Sequence, residues 1–549
     1  MREEWWAMSI VPRAALRTSR EFHRPLRNTE WPGAAIACAV AAALALLAVV
    51  MGWRGSDLPA QLFRVELFRR DGFVLWNSQW FAGHPTLDYS VLSPVLGALT
   101  GPIALGAACG VASAFLFHRL VHYEFGNAAW VGSLWFATAT VTNLVVGRVT
   151  FALGLTFALG ALLALQRHRS WVAAGCALLC ALASPVAALF LAVAAGAWGF
   201  ARPSRRLVCW LIGAIAIAPV LLIAIAFPSP GAQPYELWAF LCDLGLCALF
   251  CLLVPRRFAD LRWGAGLYAV VLIGTYLFAS PLGGNVSRLN QYVAGPLFAC
   301  VLWEHRRLLV LAIAMPLVFW QWFPAADAIA RAHDDPSTER AYYQPLMKYL
   351  EAQPQTFGRL EIAATYRHWE TAYVAPQLPL ARGWERQLDY AYNGQFYDGT
   401  LDSSGYRTWL SENGVEYVAL PDAKLDSSST VEAKLLAGGE SYLQPIWHNA
   451  HWRMWRFVGY RGLVDGPARL VAITADSFTL RVLHTGTVTV HIHASPHWVV
   501  PGDGCATASS NGWIQLRALP VGEVQVSQAL RGTPCKAADK DGRGPPGTP

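Results

Sequence analysis

The run "WPGAAIACAVAAALALLAVVMGW" (Trp31–Trp53) has no charged residue over a length of about twenty residues, enough to cross a hydrocarbon core. Blocks of this kind recur as far as "LLVLAIAMPLVFWQWF", which closes at Phe323, and none recurs from Pro324 onward. The chain therefore reads as two parts with different solvents, a multi-pass α-helical membrane bundle and then a water-soluble region. In lipid the backbone must satisfy its own hydrogen bonds, so the apolar blocks fold as helices. Their spacing predicts eleven spans, at 33–53, 93–117, 128–146, 150–166, 171–184, 186–200, 207–226, 237–254, 263–280, 289–303 and 307–323. The fifth and sixth are short, split at Ser184-Pro185, and read either as full spans or as a re-entrant pair.

Charge sharpens the boundary. Up to residue 323 there are 23 Arg, no Lys and 13 acidic residues, and beyond it 20 basic and 23 acidic ones. The formal net charge of +7 thus belongs to the membrane half and does not indicate a nucleic-acid partner. The linkers "HRLVHYEFGN", "RHRS", "ARPSRR", "RRFADLR" and "EHRR" all bear arginine, whereas "FPSPGAQPYE" has no basic residue. Short basic loops stay in the cytoplasm, so residues 1–30 form a basic cytoplasmic lead and lack the shape of a cleavable signal. An odd number of spans then places loop 54–92 and everything after 323 outside the plasma membrane.

The soluble half divides by texture. Residues 324–462 read as mixed α/β, with a helix over "RAYYQPLMKYLEAQ", a strand in "RLEIAAT", and helix, turn and strand in "YRTWLSENGVEYVALPD". Residues 463–536 alternate polar and apolar in short runs such as "FTLRVL" and "TVTVHIHA", the pattern of a small β-sandwich. Residues 537–549 read as a disordered tail. Nine of the eleven cysteines lie in or beside the spans; Cys505 and Cys535 remain, and an oxidising compartment would join them, the alternative being two free thiols.

The stretch after the first span concentrates the polar candidates. Asp57 is placed either to take a proton from an attacking hydroxyl or to cap the helix that opens at Leu58-Pro59. "LPAQLFRVELFRR" sets Leu58, Leu62, Val65 and Phe68 on one face, with Arg64, Arg69 and Arg70 elsewhere, as in an amphipathic helix on a membrane surface. Glu66 and Asp71 are further carboxylates, or salt-bridged surface charges. "WNSQWFAGHPTLDYS" adds Trp76, Trp80, His84, Asp88 and Tyr89. The rings suit a sugar or simply a membrane interface, and His84 suits a phosphate contact, a proton shuttle or a structural hydrogen bond.

Two arginines sit at outer span ends, Arg148 in "NLVVGRVTF" and Arg288 in "SPLGGNVSRLNQY". Arginine on the outer side needs a local reason. Either it grips an anion in a bidentate fork, with Asn285 and the Gly283-Gly284 amides beside Arg288, or it snorkels. Asp243 lies inside an apolar block, where a carboxylate is costly and calls for a role or a hydrogen-bonding neighbour. "LARGWERQLDY" offers Trp384, Glu385 and Arg386, a set suited to a sugar ring or to a packed loop. "HIHASPH" places His491 and His493 on one strand face, yet no carboxylate or cysteine stands at ligand spacing to them or to His497, so a plain strand is favoured and no metal ligand is assigned.

A bundle with its N-terminus inside, an acidic first external loop and a C-terminal external domain together resemble the GT-C membrane glycosyltransferases. "SDLPAQLFRVELFRRDGFVLWNSQWFAGHPTLDYSVLSP", "GGNVSRLNQY", "HWETAYVAPQLPLARGWERQLDY" and "NGVEYVALPD" look like segments of large uncharacterised actinobacterial members, over roughly residues 30–460. The resemblance implies an inverting enzyme that takes a sugar from a polyprenyl-phosphate donor, as arabinofuranosyltransferases and mannosyltransferases do, and gives it to a cell-envelope glycan or glycolipid. It places the catalytic carboxylate of the first external loop at Asp57, with His84, Glu66 and Asp71 nearby. The usual close pair of acids is missing, since Glu66 and Asp71 stand far along the sequence. Arg288, Arg148 and Asn285 would hold the lipid phosphate, and Trp76, Trp80, Asp88, Tyr89, Trp384 and Arg386 the acceptor. Some relatives use a divalent cation. Two other readings stand beside it: a transporter or flippase of lipid-linked sugars, and a non-catalytic glycan-binding scaffold of the envelope.

Overall fold

The structure is a computed structural model that describes residues 30–354 and 356–535; the basic lead before residue 30 and the tail after 536 lie outside the described residues. Among the described residues, five helical segments are long and apolar enough to cross a membrane: Pro32–Val50, Pro102–Val146, Val149–Gln166, Pro203–Ala226 and Arg307–Ala330. The expectation of eleven spans is corrected to these five. Helix Ser170–Ala183 has 14 residues, and Pro185–Ala201 and Leu237–Leu253 have 17 each. At about 1.5 Å per residue they reach roughly 21–26 Å, short of a core about 30 Å thick. The block at 289–303 is broken into a π-helical turn, Asn290–Ala294, and the eight-residue helix Gly295–Leu302. The last long helix runs through Pro324 to Ala330, so the bundle overruns the boundary expected at Phe323.

Beyond it stands a four-stranded sheet in the order Arg359–Ile362, Val415–Pro421, Trp452–Phe457, Leu443–His448, parallel in its first pair and antiparallel in the others. Helix Arg340–Glu351 lays Tyr343, Leu346 and Leu350 in the core it shares with that sheet. Helix Ser403–Glu412 ends at Asn413, and Gly414, at φ +59°, turns the chain into the central strand. Two further four-stranded sheets face one another across a shared core containing Phe478, Leu480, Val490, Ile492, Ile514 and Val526. Alternation explains the assignment: in Val488–His493 the residues Val488, Val490 and Ile492 are buried and their neighbours half-buried. A disulfide joins Cys505 to Cys535 in this region.

The first polar stretch is packed between these bodies. Helix Leu58–Asp71 buries Leu58, Ala60, Phe63, Val65 and Leu67, while Leu62 and Phe68 are half-buried. This corrects the expected surface helix with one apolar face. Phe63 and Leu67 enter the core of the α/β unit, and Val65 lies against Gly97 of helix Leu92–Thr100 on the bundle side. A helix held on two sides needs apolar residues around most of its circumference.

Candidate functional site

A cavity of about 770 Å³ opens where the bundle meets the α/β unit, and much of the polar set singled out from the sequence lines it. Asp57, Asp88, Tyr89, Arg148, Asn285, Arg288, Trp384 and Arg386 all face it. Its opposite wall is apolar, with Val186, Leu189, Ile217, Val220, Leu221 and Phe227 contributed by two bundle helices and the turn after them.

Backbone geometry brings Asp57 to Arg148. Gly55 N–H donates to the Val145 carbonyl at 2.7 Å and Asp57 N–H to the Val146 carbonyl at 3.0 Å. The approach needs glycine on both sides. A Cβ on Gly55 would stand 2.6 Å from the Val145 oxygen, and one on Gly147, at φ +92°, would collide with the Leu58 backbone. Asp57 makes no capping bond to helix Leu58–Asp71, so its carboxylate is free to turn to Arg148, whose Nε lies 3.6 Å from Oδ2. The capping alternative is thereby set aside.

Arg288 comes from a different segment. Asp243, fully buried, accepts from Tyr235 Oη at 2.7 Å, Ser287 Oγ at 2.5 Å and Asn290 Nδ2 at 2.9 Å. Ser287 and Asn290 bracket Arg288, so the buried carboxylate of Asp243 fixes the segment that presents it. Arg288 donates to Asn285 Oδ1 at 2.7 Å, yet its Nε is buried without a hydrogen-bond partner, as is Nε of Arg148. Buried donors left unpaired are costly, and two guanidiniums beside one cavity suit an anion with several acceptor oxygens.

The far rim belongs to the α/β unit. Trp384 donates from Nε1 to the Ser56 carbonyl at 2.6 Å and stacks on His368 at 3.5 Å between centroids. Arg386 forks onto Asp426 at 2.9 and 3.1 Å, which commits its guanidinium. His368 lies 3.5 Å from both Asp426 and Glu370; burial opposes its charge, but these two carboxylates win and raise its pKa. Glu385 receives Arg64 Nη2 at 2.5 Å and Gln387 Nε2 at 2.8 Å. Burial pushes its pKa up to about 7, helped by the charge of Asp88, and burial pushes Asp88 up to about 6.

Other expected site residues lie elsewhere. Glu66 pairs with Arg69 at 3.9 Å and Asp71 with Arg70 at 2.7 Å, and neither lines the cavity. His84 is buried, with Nε2 3.1 Å from Asn77 Nδ2 and Nδ1 2.7 Å from the Pro85 carbonyl. Burial lowers its pKa to about 3, with Arg64 acting in the same sense, so the ring is neutral and structural. Trp76 enters the β-region core against Trp498 at 5.7 Å, and Trp80 stacks on Phe63 at 4.0 Å in the α/β core. These rings clamp the first loop between two bodies. His497 docks on the bundle, its Nε2 2.7 Å from the Ala226 carbonyl. Gln61, Ser229 and Gln387 also line the cavity without having been anticipated, since single uncharged polar residues carry no spacing signal.

Among the described residues there is no cluster of three or more His, Cys, Asp and Glu that would hold a metal ion. Of the cavity carboxylates, Asp57 is paired with Arg148 and Glu385 with Arg64, a donor set that does not fit a divalent cation, and no step is routed through one. No protein-family model matches the chain, and no curated protein matches it.

Proposed function

We propose that this chain is an integral membrane glycosyltransferase of the GT-C kind, moving a sugar from a polyprenyl-phosphate donor to a cell-envelope glycan or glycolipid on the extracytoplasmic face. The observation that carries the reading is the pair Arg148 and Arg288 beside one cavity whose other wall is apolar, Arg288 with a buried Nε that has no hydrogen-bond partner and Arg148 with its Nε 3.6 Å from Asp57. A phosphate on a long hydrocarbon chain needs both surfaces at once. In this reading the arginines grip the phosphate, and their attraction grows as the bond from the anomeric carbon to the phosphate oxygen breaks and charge collects there. The acceptor hydroxyl attacks the opposite face of that carbon, inverting it, while Asp57 takes its proton. Trp384, Tyr89 and Asp88 border the space left for the acceptor. Arabinose and mannose are the donor sugars the resemblance suggests.

The test sets lipid-phosphate binding beside turnover. Asp57→Asn keeps the residue's shape, so polyprenyl phosphate should bind as in wild type while transfer falls roughly a hundredfold or more. Arg288→Ala should weaken polyprenyl-phosphate binding and slow transfer together. A flippase or a glycan-binding scaffold needs the arginines but not the proton acceptor. Undiminished function in Asp57→Asn would therefore sink the enzyme reading.

A further inference from the structure

The segment that carries Asp57 is held from two sides. The bundle takes its amides, with Gly55 and Asp57 N–H donating to the Val145 and Val146 carbonyls. The α/β unit takes its carbonyls: Arg367 Nη1 donates to the Arg54 oxygen at 3.0 Å and Trp384 Nε1 to the Ser56 oxygen at 2.6 Å. Arg367 is buried, and its Nη2 reaches the Asp327 carbonyl at 3.0 Å, near the end of the last bundle helix. The peptide unit between Ser56 and Asp57 is thus tied at both ends, its oxygen to Trp384 and its N–H to Val146. A peptide unit is planar, so two such ties fix the plane from which the Asp57 side chain departs.

Trp384 is itself framed. His368 stacks on it at 3.5 Å between centroids and 10° between planes. A ring that close fills the face it covers, so the Arg386 guanidinium, 4.6 Å from the indole centroid, stands on the other side. Asp426 holds both covering groups, Arg386 through its fork and His368 Nε2 at 3.5 Å. The backbone bends to build this frame: His368 has φ +56°, a left-handed conformation that residues with a side chain rarely adopt. Arg367 and His368 are consecutive, so this one turn sends Arg367 to the Arg54 carbonyl and His368 onto Trp384. A sugar ring stacks on an open aromatic face, and this indole has neither face open. What it offers is its N–H edge.

We propose that Trp384 is the positioning residue of Asp57, acting through its indole N–H on the Ser56 carbonyl and not as a ring face for a sugar. This deepens the transferase reading and rests on it. A general base must sit within hydrogen-bond reach of the proton it takes, and small displacements there are costly.

Trp384→Phe keeps a flat ring and removes the N–H. In the full chain in detergent, hydrogen–deuterium exchange at the Gly55 and Asp57 amides should rise roughly fivefold, the scale of one lost hydrogen bond, while strand Val415–Pro421 exchanges as in wild type. Transfer is read with polyprenyl-phosphate mannose and polyprenyl-phosphate arabinose as donors and methyl mannopyranoside and methyl arabinofuranoside as acceptors. In Trp384→Phe its kcat should fall roughly tenfold to a hundredfold, with KM for the donor unchanged. Unchanged exchange at Gly55 and Asp57 in Trp384→Phe overturns the proposal. So does wild-type transfer in Trp384→Phe beside failed transfer in Trp384→Ala, which is the pattern of a sugar platform. If wild type neither binds polyprenyl phosphate nor transfers from either donor, the transferase reading falls, and the exchange alone decides whether Trp384 holds the Asp57 segment.

Discussion

Single residues divide here by whether their polar atoms are already spent. His84 uses both ring nitrogens and Arg386 its whole fork, whereas Arg288 keeps a buried Nε without a hydrogen-bond partner and Arg148 spends its own only on a 3.6 Å ion pair with Asp57. That distinction is invisible in sequence, where Trp76 and Trp384 look equally suited to a sugar. Trp76→Ala should therefore cost about 3–5 kcal/mol of stability, the usual range for an aromatic removed from a core, and lower the thermal midpoint. A variant as stable as wild type would mean that the ring is not a core residue. Glu385 gives a second residue-level expectation. Its pKa is raised by folding, to about 7 from the ordinary 4.5, so the protonated form is the one folding favours. That contribution is present in full below the ordinary carboxylate value and declines as pH rises from about 4.5 through 7. The difference in unfolding midpoint between wild type and Glu385→Gln should shift against wild type over that window, and a flat difference would show that Glu385 is ionised throughout.

At the scale of elements, the site depends on turns and ties that hold helix ends together. Asp243→Ala would leave Tyr235, Ser287 and Asn290 with buried donors unpaired, at about 1–3 kcal/mol each, and release the segment that presents Arg288. It should lower the thermal midpoint and weaken polyprenyl-phosphate binding together, whereas Asp243→Asn, which keeps an acceptor oxygen, should recover part of both. Normal lipid-phosphate binding in a folded Asp243→Ala protein would separate the tie from the site. Elements were legible where one periodicity governed them. The strand before Pro421, the turn at Asn413-Gly414 and the alternating strands after 463 follow directly from local pattern. The spans were less legible, because apolar composition does not report where a helix breaks. Ser184-Pro185, Gly101 and the π-helical turn at Asn290 divide apolar blocks into shorter pieces. The helix Leu58–Asp71 departs from the expected one-faced surface helix for a related reason, since its partners on two sides are distant in sequence. The pairing of Asp57 with Arg148 was hidden as well, resting on backbone hydrogen bonds between loops about ninety residues apart, while the residue types that line the cavity were apparent beforehand.

For the molecule as a whole, the cavity belongs to neither half alone. Asp57, Arg148 and Arg288 come from the bundle and its loops, and Trp384 to Gln387 from the α/β unit, so the proposed transfer requires the carrier phosphate on the side of the membrane where the two bodies meet. The disulfide bears on which side that is, since such bonds persist in oxidising compartments. It closes a separation of 30 residues, a loop whose constraint is worth about 3 to 4 kcal/mol in the chain-entropy account. Two measurements on the full chain then have to agree. Alkylation under native conditions should leave Cys505 and Cys535 unmodified until a reductant is added, and reduction should lower the unfolding midpoint of the β-rich region. Alkaline phosphatase fused after Pro549 should be active in intact cells and green fluorescent protein at the same point dark, because the arginine-bearing linkers favour a cytoplasmic N-terminus and an external C-terminal half. A bright cytoplasmic reporter together with freely alkylated thiols would place the cavity on the inner face, and the donor would then have to be sought among cytoplasmic carriers instead.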